Sequence, residues 1–333
     1  MIKSSRAVLR LPRTPIEPPV KYCARTTQSA KRVPFCPPTA ATTHHPSLPF
    51  QTRLFTSSSG AFTKAAVAKP PSQEKKDAVL KSLITPSLLH EIQEFWFPDA
   101  KPESSIHVRQ EHLSRWFAGG EALDKVCVER FLPTLEALRK INLKSGSSLI
   151  DAVQPADPCD WMRLLLLLDQ LPRNCYRGTS AAIVFTEFDP LARDIAHAAI
   201  QRGIPDQTPQ IRWQFAYRPW FYMPLMHSEE MGDHEIALEG FRRSAADVES
   251  LARGEQVSGS SEADEYRARA LQVVRANAEA ATELARKNLG FEQMHADIIR
   301  RFGRYPHRNM ALGREPTQEE REYLENGGET FSP

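Results

Sequence analysis

Three stretches of the chain gather side chains that could do chemistry. In DQLPRNCYRG (169–178), Asp169 closes a run of five leucines and is followed by Arg173, Asn174 and Arg177. In RFGRYPHRNMALGR (301–314), a similar Pro-(x)-Arg-Asn core carries Arg304, His307, Arg308, Asn309 and Arg314. In MHSEE (226–230), His227, Ser228 and Glu229 follow a segment rich in aromatics and proline. An arginine presents a planar fork that matches a carboxylate or phosphate. A histidine oriented by a carboxylate can act as acid or base near neutral pH. His227 or His307 would be the proton carrier, with Glu229 or Asp169 to orient it. If the clusters converge, the arginines outnumber the carboxylates and a small anionic molecule would relieve their repulsion.

The same residues have a structural reading. A carboxylate at the end of a leucine-rich helix is costly to bury unless paired, and helix C-termini favour cations. The clusters could therefore be ion-pair locks between helix ends. Ser228 beside His227 is no catalytic pair by adjacency alone, and its type and place suit a helix cap. His295 lies at helical spacing with Phe291, Ile298, Ile299 and Phe302, which reads as core. No H-E-x-x-H or comparable spacing is present, so no metal is expected, and the residues name no cofactor.

The elements that must position these groups are helical. TPSLLHEIQEFWF opens with Thr85 as N-cap and Pro86 at the first helical position. Asp157 and Pro158 repeat that signal before WMRLLLLLD, and leucines on every face from 164 to 168 require protein all round. Further helices are expected over 121–140, with a bend at Pro133, over 180–202, with a kink at Pro190, and from a Ser228 cap to about 243. A single long helix is expected over 266–302, and a last short one after the Thr317/Glu320 capping box. No segment alternates with period two, so the expected fold is all-α, an antiparallel array of helical hairpins or a bundle.

Nine Lys/Arg and one acid fall in residues 1–55, against 34 bases and 40 acids in the rest. The first segment is rich in Ser, Thr and Pro and ends in RLFTSSS. Those are the features of a mitochondrial transit peptide cut after Phe55, so residues 1–55 are expected to direct the chain to the matrix. Residues 56–81 read as a linker, 82–330 as one helical domain, and 252–265 as a polar insertion within it. The longest apolar run, LLLLL, is far too short to span a membrane. The acidic balance of the body argues against nucleic acid as a partner, although aromatics and arginines alternate in WQFAYRPWFY. Cys127, Cys159 and Cys175 are scattered, with neither a disulfide framework nor zinc spacing.

In order along the chain, FWF, RWF, LLLLDQLPRNCYRGT, YMPLMHSEE and RFGRYPHRNMALGREPTQEE resemble the domain of unknown function 924 family of bacteria and fungi, from about residue 90 to 328. The resemblance implies an all-α fold similar to tetratricopeptide-like domains and implies no reaction. Two functional expectations follow from the residues: a pocket for a small anion, in which a histidine could act as acid or base, or an adaptor that binds a partner protein in a groove.

Overall fold

The computed structural model describes residues 73–99, 101–255 and 262–331. The expected transit segment lies outside them. Every regular element among the described residues is helical, so the fold is an all-α helical array. The main helices are α1 (Gln73–Leu83), α2 (Pro86–Trp96), α3 (Pro102–Ile106), α4 (Gln110–Ala118), α5 (Gly120–Ile141), α6 (Gly146–Val153), α7 (Pro158–Leu165) and α8 (Leu171–Cys175), followed by α9 (Asp189–Gln201), α10 (Met231–Ala252), α11 (Glu262–Ala276), α12 (Ala278–Phe302) and α13 (Gln318–Glu325). Short helical turns fill 204–226.

Local signals act as their chemistry requires. Thr85 accepts from Leu88 N–H, Asp157 accepts from Cys159 N–H, and Thr317 and Glu320 form the reciprocal capping box. Leu164 through Leu168 are all buried, at 1 % exposure or less, in the main core with Phe131, Leu135, Phe188 and Tyr222. The helix α5 runs unbroken through Pro133.

Four boundaries differ from the sequence reading. A helix occupies part of the stretch read as linker: α1 buries Leu80 and packs on α6, the charges of QEKKD having hidden its amphipathic pattern. Ser228 is not the cap of α10, which starts at Met231 and extends to Ala252. The Ser228 hydroxyl instead accepts from Glu230 N–H, closing a tight turn. The 266–302 helix is two, separated by Asn277, because α11 serves one cluster (Trp213, Leu251, Ala270, Val274) and α12 another (Ile298, Ile299, Tyr305). With α10 ending at Ala252 and α11 starting at Glu262, most of the polar insertion is their connection, of which 256–261 lie outside the described residues.

Two π-helical turns interrupt the helices nearest the polar clusters: Leu166–Gln170 and Val184–Phe188. Each ends two residues or fewer before a proline, Pro172 and Pro190. Proline lacks an N–H and its ring collides with the carbonyl four residues back. The backbone answers by shifting register, so that Leu171 N–H reaches Leu166 and Asp189 N–H reaches Val184. Such π turns are rare and often stand at functional sites. The expected kink at Pro190 takes this form. The two turns lie against one another and present Asp169, Phe185 and Asp189 to the same region.

Candidate functional site

The first π turn places Asp169, 1 % exposed, below His227. His227 Nδ1 donates to Asp169 Oδ1 at 2.7 Å, and Arg173 donates to the same oxygen at 3.2 Å. Arg173 also donates to Asp189 at 2.7 Å. Arg308, 5 % exposed, approaches the other Asp189 oxygen at 3.9 Å. The two Pro-Arg-Asn segments therefore meet, through Asp189. The Arg308 guanidinium lies over two rings, Phe185 at 4.5 Å and Tyr305 at 4.4 Å. Its Nε makes no hydrogen bond, nor does the facing Asp189 Oδ2.

The charges follow from this geometry. Burial pushes Asp169 up, but His227 and Arg173 outweigh it and hold the carboxyl below its ordinary range. Burial and the Arg173 charge push His227 down against the opposing pull of Asp169, so the ring is neutral at pH 7. An ionised Asp169 accepting from Nδ1–H leaves Nε2 as the basic nitrogen. This is the orientation a general base requires. Asp189 is raised, chiefly by burial, against the pull of Arg173 and Arg308. Burial likewise lowers Arg308.

The other sequence-predicted residues do not join this group as ligands. Arg177 forks onto Asp124 at 3.0 and 2.7 Å, at the surface. Asn174 is buried and donates to the Gln170 carbonyl. Arg304 forks onto Glu320 at 2.6 and 2.8 Å and holds that carboxyl down to about 2. Asn309 donates to the same carboxylate and accepts from Arg314. Glu229 does not orient His227: it takes both Arg314 nitrogens, at 2.7 and 3.0 Å, and the Tyr305 N–H at 2.9 Å. The expected pool of surplus positive charge is thus divided into separate pairs. For Arg177, Arg304 and Arg314 the geometry is that of a lock.

His307 is half-buried beside Arg308, and neither ring nitrogen makes a hydrogen bond of ordinary geometry. Burial and the Arg308 charge depress it to about 3. His295 is buried as expected, bonded to the Phe291 carbonyl, and lowered well below its usual value by burial. Both rings are neutral in the folded protein. The unfolded chain takes up these protons near pH ~6.5, so stability is present above that pH and is lost as pH falls toward the folded-state values. Each such histidine costs up to about 1.4 kcal/mol per pH unit over that range. Thermal melts from pH 7.5 to 5.5 should show Tm falling, and His295→Leu should flatten the slope by about one histidine's share. An unchanged slope in that variant would show His295 to be protonated when folded.

Asp189, Phe185 and Tyr305 are the site residues that sequence reading missed. A further pair also escaped it. His234 and Glu292 are fully buried, with Nδ1 2.8 Å from Glu292 and Nε2 2.9 Å from the Ser228 carbonyl. The carbonyl can only accept, so Nε2 carries hydrogen and one further proton is shared with Glu292. No group of three or more His, Cys, Asp or Glu among the described residues could hold a metal. Burial pushes the thiols of Cys127, Cys159 and Cys175 up to about 12, leaving them poor nucleophiles. No helix among the described residues is long and apolar enough to cross a membrane.

The molecule is thus an all-α helical array whose interior polar network joins an Asp–His pair to two arginines. A family model described as bacterial protein of unknown function, DUF924, matches residues 92–328, and the chain belongs to that family. It is similar to a solved structure of a protein of unknown function, ATU0120 from Agrobacterium tumefaciens. The two are 29% identical over 73% of this chain and 100% of that one, with a TM-score of 0.46. No curated protein matches the chain.

Proposed function

We propose that the chain binds a small carboxylate or phosphate at Arg308, with His227, oriented by Asp169, as the base that could act on it. The observation that carries this reading is the Arg308 guanidinium: buried, clamped by two rings, and without a hydrogen bond to any described residue. A lock arginine resembles Arg304 and spends its fork on a carboxylate. Arg308 is held in place by its flat faces: its Nε is buried without a hydrogen bond, and its Nη1 comes no closer to Asp189 than 3.9 Å. Buried donors without partners are expensive to leave so, and an anion at the edge of the fork would satisfy them. The His227, Arg173 and Asp189 side chains are only 11 to 13 % exposed, so a ligand that reaches them must be small.

Paired variants test this against the lock. Arg308→Met keeps apolar bulk between Phe185 and Tyr305 and should remain folded. In wild type, inorganic phosphate or acetate at about ten times its Kd should add about 1.4 kcal/mol, or roughly 2–5 °C in Tm. Arg308→Met should lose that gain. Arg304→Ala should melt lower by a few degrees yet keep the gain. If no anion raises the wild-type Tm, or if Arg308→Met responds like wild type, the reading is wrong.

We also propose that residues 1–55 direct import into the mitochondrial matrix and are removed after Phe55. The charge asymmetry and the RLFTSSS string support this. A fusion of residues 1–60 to a fluorescent reporter should be imported, and the processed reporter should begin at Thr56. A reporter that stays in the cytosol with Met1 intact excludes it.

A further inference from the structure

A second cleft lies away from the Arg308 site, between α3, the turn carrying Trp213 and Gln214, and the middle of α11. Its volume is about 240 Å³. An apolar cavity of ~150 Å³ is enough to take up benzene, so this space suits a single six-membered ring with one substituent. Its lining is uneven in a telling way. Three aromatic side chains, Trp213, Tyr217 and Tyr266, contribute walls, and Gln214 contributes an amide. Two cations, Lys101 and Arg269, stand in the lining, and among the described residues no Asp or Glu does. Neither cation has an ion pair among the described residues, whereas arginines close by are spent: Arg212 forks onto Asp247 at 3.1 and 2.8 Å, and Arg267 donates to the Glu255 carbonyl.

Two of the three aromatic walls, Trp213 and Tyr217, are fixed rather than loose. Tyr217 is held by Gln93, which donates to its hydroxyl at 3.2 Å, and by Phe97 at 4.7 Å between ring centroids. Trp213 is 8 % exposed and has Arg212 and Arg267 over its ring at 4.6 and 5.6 Å. A preformed wall lowers the ordering cost of binding. Lys101 and Arg269 add positive charge that no acid among the described lining residues offsets.

We propose that this cleft is a binding site for a small aromatic acid, its ring against Trp213, Tyr217 and Tyr266 and its carboxylate toward Arg269 and Lys101. A flat ring and one negative charge are the two features the lining complements together. A purely aliphatic anion would use the cations alone, and a neutral ring the walls alone, so each should bind more weakly. The site is independent of Arg308.

Isothermal titration of the full-length Arg308→Met variant, which lacks the anion site proposed above, tests it with benzoate, and with formate and benzyl alcohol as half-ligands. Benzoate should bind one to one with a Kd in the high-micromolar to millimolar range expected of so small a molecule. Formate and benzyl alcohol should each bind about tenfold more weakly or not measurably. Arg269 and Lys101 are exposed, so Arg269→Glu and Lys101→Glu, each added to that variant, should fold normally, and each should weaken benzoate about tenfold. Absence of saturable benzoate binding would overturn the proposal. So would benzoate binding that survives both charge reversals.

Discussion

Leu166→Asp should leave little or no folded protein at 37 °C. Leu166 is wholly buried in the first π turn, and its neighbours from Leu164 to Leu168 are buried with it. The substitution removes a leucine from the core, which alone costs roughly 2–5 kcal/mol, and it installs a carboxyl without a partner. The flanking basic residues are already committed, Arg163 to Gln93 and Asp160 and Arg173 to Asp169 and Asp189. The new acid must stay neutral and unbonded or pull the helix out of the core. A loss on the order of 3–5 kcal/mol or more is comparable with the whole stability of many domains. Far-UV circular dichroism and thermal melts read this directly, with Leu166→Ala as the milder member of the series. A soluble Asp variant with the wild-type Tm would mean that the leucines face solvent.

That leucine run was legible in the sequence, as were the caps at Thr85, Asp157 and Thr317, because each depends on residues within one turn of helix. The partners of the site were not. Between the two candidate orienters of His227, Glu229 and Asp169, the sequence did not choose: the turn closed by Ser228 carries Glu229 to Arg314 and the Tyr305 N–H, and Asp169, 58 positions from His227, takes the role. Asp189 fell inside the helix expected over 180–202, beside the expected kink at Pro190, and nothing in the pattern set it apart. What brings Asp189 to Arg173 and Arg308 is the π register forced by Pro190, and periodicity counted at 3.6 residues per turn does not reveal it. The arginines were recognised as a group, but their division among Asp124, Glu320, Glu229 and Asp189 depends on packing between helices far apart in the chain. The prolines at 172 and 190 were the available signal. Each stands just past a polar residue inside an apolar helix, where the backbone must deform and a side chain can be redirected inward.

Arg218 shows what an arginine does when it is a lock, and its removal should be the costliest single loss of a polar group in the chain. It is 1 % exposed and bridges Asp206 and Asp247 at 2.7 Å each. Tyr222 donates to Asp206 as well, and Arg243 and Arg212 reach the two carboxylates from the outer side. Burial raises Asp206, but Arg218 and Tyr222 prevail and hold the carboxyl low. Arg218→Met keeps the apolar stem and removes the inner charge, leaving two largely buried carboxylates with only the outer Arg243 and Arg212. Breaking such a pair costs about 3–5 kcal/mol. Restoring neutrality should recover much of it, so the triple variant Arg218→Met, Asp206→Asn, Asp247→Asn should be more stable than Arg218→Met alone. The pH dependence has a definite sign. A depressed Asp206 contributes stability that is present above the unfolded carboxylate value, near ~3.9, and lost as pH falls through the folded value. Arg218→Met should therefore show a smaller loss of Tm between pH 6 and 3 than wild type. The network lies apart from Arg308, so the variant, at a temperature where it is folded, should keep its gain from phosphate. An Arg218→Met protein that melts like wild type would show that the bridge contributes nothing. One that is folded but loses the phosphate response would place the anion here rather than at Arg308.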